Sequence, residues 1–144
     1  MKKASVVVMA LVLGLLLVAG VSPGNVNANE CDLALWIHPN CTVAESRKTI
    51  YTVDNAELRV GYYRTVYYAW GRFTTSEPGA TVWLDIDTNG DGHWDEHSKI
   101  DNDGYTWAHV TNASAPRVEA MRISIRHANN TWSFGPWWSQ DGGW

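Results

Sequence analysis

Alternation of apolar and polar side chains at every second position constrains this chain more than any other feature. From Val82 to Asp87 the residues Val82, Leu84 and Ile86 alternate with Trp83, Asp85 and Asp87. That period places the two sets on opposite faces of an extended strand. Arg117 to Arg126 repeats the pattern, with Met121, Ile123 and Ile125 set against Ala120, Arg122, Ser124 and Arg126. Ile50 to Val53, Leu58 to Tyr63, Thr65 to Thr74, Tyr105 to Val110 and Thr131 to Phe134 are rich in β-branched and aromatic residues, which pack well on a pleated surface. Helical periodicity is nowhere sustained over the roughly ten residues that would compel a helix. The breaks between these runs, Glu77-Pro78-Gly79, Asn89-Gly90, Asp91-Gly92, Asp103-Gly104 and Asn129-Asn130, are turn chemistry. The expectation is an all-β domain over residues 49–144, with six to eight antiparallel strands in an Ig-like or similar sandwich.

What precedes the strands reads differently. Lys2 and Lys3 lead into the apolar run Val6 to Val18, which breaks at Gly20, Ser22, Pro23 and Gly24 before the small-residue site Val26-Asn27-Ala28. That order describes a secretory signal peptide, residues 1–28, cut after Ala28; the run is too short and too soon broken for a membrane anchor. Cys31 and Cys41 are the only two cysteines. In an exported chain they are expected to pair, closing an irregular segment, residues 29–48, that lies outside the sheets.

The formal net charge is −4, and losing Lys2 and Lys3 makes the exported form more acidic still. An excess of acids argues against nucleic acid as a partner, because that binding rests on neutralising phosphates with Lys and Arg. It also argues against membrane insertion or attack on anionic membranes by the mature form. The acids concentrate in one stretch, Asp85, Asp87, Asp91, Asp95, Glu96, Asp101 and Asp103, with Lys99 as the base among them. Within it, Asp87, Asn89 and Asp91 put oxygen side chains at alternate positions ahead of Gly92, and Asp95 follows four residues after Asp91. This spacing resembles the first half of a calcium loop of the EF-hand or dockerin type, and the resemblance implies Ca²⁺ held by Asp87, Asn89, Asp91 and Asp95. It covers about a dozen residues and departs where a closing bidentate Glu belongs, at Ser98. A polar hairpin turning on Asn-Gly and Asp-Gly accounts for the same letters without a metal. His93-Trp94-Asp95-Glu96-His97 also fits the H-x-x-E-H pattern of inverted zinc peptidases, but that chemistry needs a helix, and this segment follows a glycine-rich turn among strands.

Nine tryptophans are too many for the interior of so small a domain, since the indole is bulky and its N–H wants a partner. Trp83 shares the polar face of its strand with Asp85 and Asp87. Trp94 sits in the acidic stretch, and Trp137 and Trp138 lie in a tail broken by Pro and Gly. These four are the candidate ligand-binding residues, suited to stacking on sugar rings or anchoring a protein partner. There is no G-x-S-x-G elbow, and neither a Cys–His pair nor a phosphate loop, so no catalytic residues are assigned. The sequence is best read as that of a secreted, non-catalytic binding protein for extracellular or cell-wall glycan or a secreted protein. A secreted antagonist, either a bacteriocin or an inhibitor of an extracellular enzyme, and a small hydrolase are the competing readings.

Overall fold

A computed structural model describes residues 28–101, 103–112 and 117–142. Nine strands form two antiparallel sheets: β1 (Trp36–Ile37), β2 (Lys48–Val53), β3 (Ala56–Tyr63), β4 (Val66–Phe73), β5 (Thr81–Asp87), β6 (Glu96–Lys99), β7 (Ala108–Val110), β8 (Ala120–Arg126) and β9 (Trp132–Phe134). The first sheet runs β1-β7-β4-β3-β2 and the second β6-β5-β8-β9. Among the described residues the only helical pieces are short 3₁₀ turns, Ala28–Cys31, Pro39–Cys41 and Ala44–Ser46, and no helix is long and apolar enough to cross a membrane. Residues 1–27, and with them the expected signal peptide, lie outside the described residues.

The alternation translates directly into layers. Val82, Leu84 and Ile86 of β5 pair with Ile125, Ile123 and Met121 of β8, and all six are fully or almost fully buried between the sheets. Opposite them the first sheet presents Leu58 and Val60, which pair with Gly71 and Ala69. A Cβ on Gly71 would come within 3.0 Å of Ile123 and 3.1 Å of Val82, so the second sheet packs directly onto β4 at this glycine. Two-residue turns at Asp54-Asn55 and Arg64-Thr65 join β2 to β3 and β3 to β4, with Asp54 and Arg64 at positive φ, 47° and 55°. Such turns match the strand twist and demand a left-handed residue.

One expectation needs correction. Residues 29–48 do not lie outside the sheets. Trp36 and Ile37 pair with His109 and Ala108 as β1, Ile37 is 0% exposed, and β2 already begins at Lys48. The strand is two residues long, too short to show a period. The same segment covers the outer face of the first sheet. Trp70 pairs with Arg59, so it points away from the core between the sheets, yet it is buried, its ring lying against Gly61 beside Thr42 and Arg47. The Cys31–Cys41 disulfide is formed and ties this cover together. The strands that follow, β2 to β9, number eight, within the expected six to eight; among them β6, Glu-His-Ser-Lys, is polar and is drawn into the sheet by pairing with β5 rather than by its own propensity.

Candidate functional site

The outward face of the second sheet carries the site. Pairing sets its side chains in rows: Lys99 beside Trp83, Trp83 beside Ser124, Ser124 beside Phe134; in the next row His97, Asp85 and Arg122; and Trp132 opposite Arg126. Side chains on one face of neighbouring strands stand close enough to act together. Here they enclose a groove of about 440 Å³ lined by Trp83, Asp85, Trp94, His97, Ser124, Trp132 and Phe134. One wall is an aromatic corner in which the His97 ring meets Trp83 at 5.0 Å and Trp94 at 4.5 Å between centroids, both edge to face. The other wall is Trp132 and Phe134, two residues apart on β9, their rings nearly parallel at 6° and 5.9 Å apart. Trp94, Trp132 and Phe134 are 50%, 48% and 54% exposed, an unusual outlay of apolar surface for three neighbouring rings.

The floor is polar and internally paired. Asp85 is buried, accepts from Arg122 Nε at 3.2 Å and is bonded by the Ser124 hydroxyl. Burial pushes its carboxyl above the usual range, and the bonds from Ser124 and Arg122 only partly offset this. The Arg122 guanidinium in turn lies over the rings of Phe134, at 4.7 Å, and Trp137, at 4.4 Å.

Of the four tryptophans chosen from sequence, the groove brings together Trp83 and Trp94. Trp83 is half-buried rather than fully presented, because Lys99 and His97 close over it. Trp137 stands behind the wall against Arg122, half-buried. Trp138 is structural: it exchanges backbone hydrogen bonds of 2.7 and 2.8 Å with Met121 and packs on the core, so the tail continues the edge of β8 instead of forming a binding tip. Sequence reasoning missed Trp132, Phe134 and His97. Alternation across Trp132-Ser133-Phe134 could have put both rings on one face, but three residues are a weak periodic signal.

The acidic stretch folds as an eight-residue loop, 88–95, between β5 and β6. Asp87, 0% exposed, accepts from the amides of Asn89 (3.0 Å) and Gly90 (2.6 Å) on Oδ1 and of Gly92 (2.8 Å) on Oδ2. Asn89 and Asp91 each accept from the amide two residues on, and Asp95 Oδ2 is held by the amide and hydroxyl of Thr88 at 2.8 and 2.6 Å. These bonds from Thr88 hold the Asp95 carboxyl below its ordinary range. Among the described residues no three His, Cys, Asp or Glu side chains gather in a way that could hold a metal ion, Asp87, Asp91 and Asp95 included. As arranged, Asp87, Asn89, Asp91 and Asp95 are turned onto the loop's own amides and hydroxyls. The H-x-x-E-H letters find no helix either: His93 is in the loop, and Glu96 and His97 are successive residues of β6.

Comparison with protein-family models, curated proteins and solved structures finds no match for this chain.

Proposed function

We propose that this is a secreted, non-catalytic binding protein that holds an extracellular glycan in the aromatic groove of its second sheet. The observation that carries the reading is the pairing of two exposed aromatic walls with a hydroxyl- and carboxylate-bearing floor. Sugar rings have apolar faces that stack on aromatic rings and hydroxyl edges that seek polar partners, and a groove of this composition serves both. Export is supported by the leader-like opening of the sequence and by a disulfide, which persists in oxidising compartments. The binding reading over a catalytic one is supported by Asp85, whose carboxylate is engaged with Arg122 and Ser124 rather than poised beside a second acid.

The test is a pull-down of protein secreted from the full chain on insoluble polysaccharides and isolated cell walls. Retention is expected. Trp94→Ala and Trp132→Ala should each weaken it by about tenfold or more, the loss typical of an anchoring aromatic. Tyr62→Ala, removing an exposed ring on the other sheet, should leave it unchanged. Retention that survives both tryptophan changes, or its absence from every polysaccharide, would refute the reading.

A further inference from the structure

We infer that the groove selects uncharged sugars over both acidic and amino sugars; this rests on the glycan reading above. The formal charges at its floor are already matched within the protein. Asp85 and Arg122 face each other at 3.2 Å, and the guanidinium is pressed between Phe134 and Trp137. Lys99, the cation at the open edge, lies over the Trp83 ring at 5.9 Å. A uronate carboxylate or a sugar ammonium reaching the floor of this groove would give up water for aromatic walls, and its counter-charge there, Arg122 or Asp85, is already taken. Burying a charge without a partner costs far more than burying a hydroxyl that keeps a hydrogen bond. An uncharged ring meets no such penalty. It can lay its C–H face on the walls while its hydroxyls reach Ser124, His97 or solvent.

The Asp85–Arg122 pair is therefore the determinant of charge selectivity, and breaking it from either side should bias the groove in opposite directions. Asp85→Asn keeps the shape of the floor and leaves the guanidinium unmatched, which favours anionic sugars. Arg122→Gln leaves the carboxylate unmatched, which favours cationic ones.

Titration calorimetry of the secreted protein with soluble cello-oligosaccharides, fully N-acetylated and fully deacetylated chito-oligosaccharides, and oligogalacturonates tests this. At least one neutral series is expected to bind about tenfold or more tighter than either charged series. Asp85→Asn should raise the affinity for oligogalacturonates relative to that neutral series by about tenfold, and Arg122→Gln should do the same for the deacetylated chito-oligosaccharides. Thermal melts of both variants establish that they fold; either one suffices for the reversal. A charged series that binds the wild type as tightly as the neutral ones overturns the selectivity and leaves the glycan reading standing. Folded variants whose charge preference is unmoved overturn the role of the pair. Binding of none of the four series, with no retention on polysaccharide, overturns the glycan reading and the inference with it.

Discussion

Asp87 shows how much one side chain can organise. It ends β5, is wholly buried, and accepts from three amides of a turn containing two left-handed glycines, Gly90 at φ 77° and Gly92 at φ 79°. A hydrogen bond to a charged group contributes about 1.5–3 kcal/mol. Asp87→Ala is therefore expected to lower the unfolding free energy by about 3 kcal/mol or more in urea titration. Asp91→Ala loses a single bond on an exposed loop and should cost less than about 1 kcal/mol. The same pair of variants addresses calcium. A loop complete on its own hydrogen bonds melts alike in millimolar calcium and in chelator. A calcium-dependent rise in Tm that Asp91→Ala abolishes would instead establish Asp87, Asn89, Asp91 and Asp95 as ligands.

Among the strands, β4 is the one that both layers depend on. At its centre the inner face is small, Ala69 and Gly71, allowing β5 and β8 to close on it, while its outer face carries Trp70 under the N-terminal segment. Gly71→Ala would push a methyl into Ile123 and Val82, two buried branched side chains with little room to yield, and is expected to cost about 1–3 kcal/mol. An unchanged Tm would mean the sheets can separate locally at no cost. The N-terminal cover depends on its crosslink. Replacing Cys31 and Cys41 by Ser should cost about 2–3 kcal/mol, the amount expected from closing a loop of about ten residues. Hydrogen exchange should then show the amides of β1 losing protection before those of β5 and β8.

The two sheets are clamped at one end by His127. Its ring contacts Glu77 at 3.0 Å, Asp54 at 3.3 Å and Ser133 at 2.9 Å, joining the β2–β3 turn, the β4–β5 loop and the β8–β9 hairpin that bears Trp132 and Phe134. The bond to Glu77 leads the causes that raise the His127 pKa above its ordinary 6.5, and Glu77 is held below 4.5, first by the Ala128 amide and then by His127. A raised histidine contributes stability that is complete below pH 6.5 and is lost as pH rises through the folded value; a lowered glutamate contributes above pH 4.5 and loses it as pH falls through its folded value. The clamp should thus be strongest between about pH 4.5 and 6.5 and loosen toward alkaline pH. In His127→Gln the alkaline decline in Tm should flatten. An identical pH profile would rule His127 out as its source.

The strand content, the sense in which β5 and β8 face the core, and the Cys31–Cys41 pair were all legible in residue order, because alternation, turn chemistry and a lone pair of cysteines are local signals. Trp83 could be chosen as outward-facing for the same reason. The groove itself could not. It depends on β9 lying beside β8, which turns Trp132 and Phe134 toward Trp94 across the sheet, and on the tail docking at Met121, which brings Trp137 against Arg122 and takes Trp138 out of play. The burial of Trp70 beneath residues 29–48 and the matching of Asp85 with Arg122 likewise join residues far apart in the chain. A period tells which way a side chain points. Only long-range pairing, set by the burial of both apolar faces against each other, decides what it meets there.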